Sequence, residues 1–87
     1  MMMTAEEMTH ASVEKIAGVS DDEMQAIWDR LLNGFFLADT AKKAELEAFS
    51  VDRQRAFLKE YAQELMRAQS YVEPFWRYVV QGESFAF

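Results

Sequence analysis

The stretch LKEYAQELMRAQSYVEPFWRYVV, residues 58–80, decides the fold. Within it Leu58, Tyr61, Leu65, Ala68, Val72, Phe75 and Val79 recur in alternating steps of three and four. That period lines up one face of an α-helix. Pro74 interrupts the stripe. Inside a helix it loses the bond to the Ser70 carbonyl and disfavours helical geometry at Glu73, costing ~3 kcal/mol or more. At the start of a new helix it costs little. The stripe stays in phase beyond it, and Glu73 and Arg77 sit one turn apart, an arrangement that supports a helical turn there. The expectation is a helix over 51–72, a kink or break at Pro74, and a short helix ending near Gln81 with Gly82 as its stop.

Upstream, helix starts are well marked. Thr4-Ala5-Glu6-Glu7 is a capping box, flanked by Met3 and Met8 where a hydrophobic staple belongs. Ser20-Asp21-Asp22-Glu23 repeats the device, and its three acids suit the positive end of a helix dipole. Gly18 reads as the stop of the first helix. Helix one is placed at 5–17, and helix two runs from Asp21 to about Leu37. Its buried face is Met24, Ile27, Trp28, Leu31 and Phe35, with Leu32 beside them; Asn33-Gly34 weakens its end. Asp39 or Thr40 caps a short third helix over 41–49, and Ser50 caps the fourth. No alternating apolar run of strand length occurs. The predicted fold is all-α: a small irregular bundle of four helices plus a short aromatic C-terminal helix and tail, one helical domain over 1–87.

Composition narrows the function. The apolar fraction is 51%, which argues against wholesale disorder. There is no cysteine, which removes disulfides and thiolate chemistry. The start MMMTAEE lacks a secretion pattern, and the longest apolar run, FFLA at 35–38, is far short of the ~18–20 residues that span a bilayer. A cytoplasmic protein is expected. The net charge of −6 lies in the first 50 residues, which hold ten acidic residues against four basic; residues 51–87 hold five of each. Neither half presents a net basic surface to phosphate, so direct nucleic-acid or membrane binding is not expected.

Catalytic and cofactor signals are weak. His10 is the only histidine; Glu7 and His10 have the spacing used in di-iron carboxylate bundles, but such a site needs a second pair. With Glu14 these residues read as the polar side of an amphipathic helix. Glu60 and Glu64 share a helix face with nothing beside them to tune a catalytic carboxylate, and read as exposed decoration. The three glycines are isolated, so no phosphate loop exists. No catalytic residue, metal or cofactor is assigned, and the chain is not expected to be an enzyme.

The aromatic end is the strongest functional signal. Phe75, Trp76, Tyr78, Val79 and Val80 cover nearly the whole circumference of one short helix, with Arg77 the main polar interruption. Two outcomes are open: helix two and Phe35-Phe36-Leu37 enclose these residues, or they form an exposed interface. Tryptophan, tyrosine and arginine are enriched at binding hot spots. Phe85 and Phe87, two residues apart, would point the same way in an extended tail and gain ~1.5–3 kcal/mol each on burial. The favoured expectation is a small non-enzymatic interaction module. It docks through Phe75, Trp76, Arg77, Tyr78, Phe85 and Phe87 on a larger protein or a second copy of itself. An alternative is an acidic decoy whose Asp21, Asp22 and Glu23 occupy the basic groove of a nucleic-acid-binding protein. A third is a helical pocket for a small apolar ligand.

Overall fold

The computed structural model describes residues 3–84. The fold is all-α, with no strand among these residues. Four helices, α1 (Ala5–Gly18), α2 (Asp21–Gly34), α3 (Thr40–Glu47) and α4 (Val51–Glu64), are followed by two 3-10 turns, Leu65–Arg67 and Gln69–Tyr71. One α turn, α5 (Val72–Pro74), then opens directly into a π-helix, Phe75–Val80. Side-chain caps start each of the four long helices. Thr4 and Glu7 form the reciprocal capping box, and Ser20, Asp39 and Ser50 each accept from a backbone N–H three residues on. No helix among the described residues is long and apolar enough to cross a membrane.

Three boundaries differ from the sequence expectation, and each has a tertiary cause. Gly18 is the last residue of α1 and not a left-handed stop, because Val19 leaves in extended geometry straight into the cap of α2. The carbonyls this leaves behind are taken by Arg55, whose Nη1 donates to Ile16 O at 2.6 Å and Val19 O at 3.0 Å. Helix α2 ends at Gly34 and does not run on to Leu37. Phe35 and Phe36 turn away from its axis, both donating their N–H groups to Leu31 O. Helix α4 ends at Glu64 and not at Val72; the chain tightens into the 3-10 turn Leu65–Arg67, and the helical path breaks at Ala68 (φ −117°, ψ 71°), six residues before the proline. A straight helix over 58–80 would be ~35 Å long, against ~21 Å for a 14-residue neighbour such as α1 or α2. The break instead folds the aromatic end back onto α1 and α2. Pro74 then falls in the first turn of the new segment, where its missing N–H has no helical partner to lose.

The core follows from this return. Helix α1 packs chiefly on α4 and buries Thr9, Ser12 and Ile16, two of them small; the Ser12 hydroxyl donates back to Met8 O at 2.8 Å. Helix α2 contributes Met24, Ile27, Trp28, Leu31 and Leu32, the expected face, and Trp28 Nε1 donates to Leu46 O at 3.2 Å. From the end of the chain come Val72, Phe75, Val79 and Val80. The wide turn of the π-helix, in which Gln81 N–H reaches back five residues to Trp76 O, sets Val79 and Val80 in the core side by side.

The C-terminal helix stops as the sequence predicts. Gly82 adopts φ +74°, and Arg30 of α2 donates from Nε to Val79 O at 2.8 Å and from Nη2 to Val80 O at 3.3 Å. A β-carbon on Gly82 would lie 3.0 Å from Arg30 Cζ. Gly82→Ala is therefore expected to destabilise the fold by about 1–2 kcal/mol through left-handed strain alone. The urea midpoint should fall at unchanged slope; an unchanged midpoint would show that the turn relaxes freely.

Candidate docking surface

Eight aromatic rings form a connected path through one side of the molecule. Trp28 stacks on Phe49 at 5.6 Å and meets Phe57 edge-on at 5.5 Å. Phe57 stacks on Tyr61 at 5.6 Å, and Tyr61 touches Phe36 at 5.7 Å, Phe75 at 5.8 Å and Phe35 at 6.2 Å. Phe35 in turn meets Tyr71 at 6.3 Å. Ring pairs at these separations add stability beyond their buried area. The path begins at a fully buried indole and ends at Tyr71, which is 55% exposed.

At that exposed end lies an open groove of about 780 Å³, lined by Gly34, Phe35, Tyr61, Leu65, Ser70, Tyr71 and Pro74. Two of the three departures from the sequence expectation border it: the end of α2 at Gly34 and the break after Arg67. Its only side-chain polar atoms are the hydroxyls of Ser70, Tyr61 and Tyr71, and no carboxylate, histidine, lysine or arginine lines it. Burial, then the nearby charge of Glu64, then Tyr71 raise the Tyr61 phenol above its ordinary pKa. Tyr61 therefore stays a neutral hydroxyl at physiological pH. Across the Tyr61 ring lies a second hollow of about 320 Å³, walled by Phe36 and Phe57 and edged by Lys42, Glu60 and Glu64.

The residues singled out from sequence do not share one face. Phe75 is 2% exposed and belongs to the core, where it backs Phe35 and Tyr61 from behind the groove. Here the enclosed outcome holds, because Phe35 folds over once α2 has ended. Trp76 is half-buried and, with Met3 and Met8, lines a separate hollow. Arg77 is exposed and lies 3.2 Å from both Glu73 and Glu83, with its guanidinium 5.5 Å from the Tyr78 ring. The hydrogen bonds that Arg77 donates to Glu83 and Glu73 hold its pKa above the usual arginine value. Tyr78, half-buried, faces a fourth hollow with Asp29, Arg30 and Ser84. Phe85 and Phe87 lie outside the described residues.

The acidic trio Asp21, Asp22 and Glu23 is exposed, and Asp21 lies 3.2 Å from the same Arg55 that caps α1. His10 Nε2 sits 3.1 Å from Glu14, both exposed on α1. Sequence reasoning missed Phe35, Tyr61, Leu65, Ser70 and Tyr71 as a lining set. The available signal was Asn33-Gly34 before two phenylalanines, read together with the polar interruption Arg67-Ala68-Gln69-Ser70. No family model, curated protein or solved structure matches this chain.

Proposed function

We propose that the chain is a non-enzymatic protein-interaction module of the cytoplasm, docking on a larger protein through the aromatic surface of its C-terminal half. The groove around Tyr71 is the centre of that surface. The observation that carries this reading is a majority-exposed tyrosine on the rim of an open, ring-lined groove. A monomer gains nothing from leaving such a surface uncovered, and exposed apolar patches mark interaction sites. Tyrosine on a preorganised aromatic floor is also a typical binding anchor. Catalysis has less support, because the groove brings together no acid, base and nucleophile.

The decoy reading has less support because Asp21, though exposed, is paired with Arg55, which offsets one of its three negative charges. The two readings separate by salt, since phosphate mimicry weakens steeply with ionic strength and aromatic docking does not. The test is affinity capture from the source cell with the wild-type chain, Tyr71→Ser, and Asp22→Lys/Glu23→Lys. Partners that survive 0.5 M salt and are lost from Tyr71→Ser alone are the expected result. Retention by Tyr71→Ser would refute the groove as the docking surface.

A further inference from the structure

The groove and its surroundings specify the chemistry of what binds there. Resting on the docking reading above, we infer that the occupant is an amphipathic basic segment of another protein. It seats apolar side chains against Phe35, Tyr61 and Tyr71 and places lysine or arginine beside Glu60 and Glu64. The groove proper is uncharged and ring-lined, so it takes apolar anchors. Moving across Tyr61 into the adjoining hollow, the edge becomes acidic: Glu60 and Glu64 stand one turn apart on α4, both exposed. Neither makes an ion pair among the described residues, whereas Lys42 on the same hollow already has Glu45 at 3.7 Å. An apolar floor with carboxylates along one side is the complement of a helix that carries apolar residues on one face and basic residues at its margin.

A second copy of this chain is a poor occupant. Its net charge of −6 opposes self-association, and its arginines are largely committed. Arg30 and Arg55 hold backbone carbonyls, Arg53 lies over the Phe49 ring at 4.0 Å, and Arg77 sits between two glutamates. A small apolar ligand would leave the acidic edge without a role. A separate basic partner uses both parts of the surface.

The test uses two labelled synthetic peptides of 18 residues with the same leucine and phenylalanine face, one with lysines at the margin and one with glutamates. Binding is read by fluorescence anisotropy at low and moderate salt. Proteins are the wild-type chain, Glu60→Gln/Glu64→Gln and Tyr71→Ser, each first checked for native helicity by circular dichroism. The lysine peptide should bind the wild type, and the glutamate peptide should bind more weakly. Glu60→Gln/Glu64→Gln should lose roughly three- to tenfold in affinity for the lysine peptide and most of its salt dependence. Tyr71→Ser should weaken both peptides. Equal binding of the two peptides, still lost from Tyr71→Ser, would overturn the charge preference while leaving the groove as the docking surface. Binding indifferent to Tyr71→Ser would overturn both, and absence of any peptide binding would overturn the inference even where Tyr71-dependent capture succeeds.

Discussion

Phe75→Ala is expected to unfold this protein at ordinary temperatures or bring it close, while Tyr71→Ala leaves it folded. The two rings are four residues apart and both touch Phe35, yet they sit on opposite sides of the boundary between core and solvent. Phe75 is 2% exposed and also meets Tyr61 at 5.8 Å. Removing a fully buried phenylalanine typically costs about 3–5 kcal/mol, from lost transfer energy plus the cavity left behind. In a domain of this size, each kcal/mol lowers the melting temperature by ~4–8 °C, so a drop of at least ~12 °C should be seen by calorimetry. The cavity would also undercut the groove, because Phe35 and Tyr61 lose the ring that props them. Tyr71, more than half in solvent, has little burial to lose, and its alanine variant should melt within a few degrees of wild type. A Phe75→Ala protein as stable as Tyr71→Ala would mean that the aromatic end does not close the core.

The second large effect is expected at Arg55. Its guanidinium bridges three elements: Nη1 donates to Ile16 O and Val19 O at the end of α1, and Nη2 reaches Asp21 Oδ1 at 3.2 Å at the start of α2. The two carbonyl bonds are charge-assisted and partly buried, the setting in which a hydrogen bond contributes most. Arg55→Met keeps the apolar stem and removes the donors. It should lower stability by about 2–3 kcal/mol, since carbonyls that α1 cannot satisfy itself lose their partner. Asp21→Asn serves as the comparison. The Asp21 side chain is 79% exposed, so its ion pair contributes at most about 1 kcal/mol, and this variant should change stability little. Equal losses in the two variants would shift the explanation from the helix cap to the salt bridge.

Local signals in the sequence were reliable wherever the chemistry was itself local. Thr4, Ser20, Asp39 and Ser50 each accept the backbone N–H that their positions imply. The buried face of α2 appears residue for residue from Met24 to Leu32, and Gly82 takes the left-handed turn. The misjudged places depend on what lies opposite. Ala68 is a good helix former, and nothing in its neighbours demands a break there. The break follows from how far α1 and α2 extend, which periodicity in one segment does not encode. The C-terminal rings are too numerous for one helix of normal width to bury on a single face. A π turn, together with an early end to α2, buries Phe75, Val79 and Val80 and moves the uncovered aromatic surface to Tyr71. The groove was illegible for the same reason: it is the gap between two endings, and neither ending is written locally.

The arginine caps carry one further consequence. Helix ends normally fray, each opening and closing without regard to the rest of the chain. Here the final carbonyls of α1 are gripped from α4, and those of the π-helix are gripped from α2, 49 residues earlier in the chain. Neither end can peel away without releasing a side chain that belongs to another helix. Opening of these two ends is therefore coupled to the helices that hold them, and the segment that carries Tyr71 leads into one of the two.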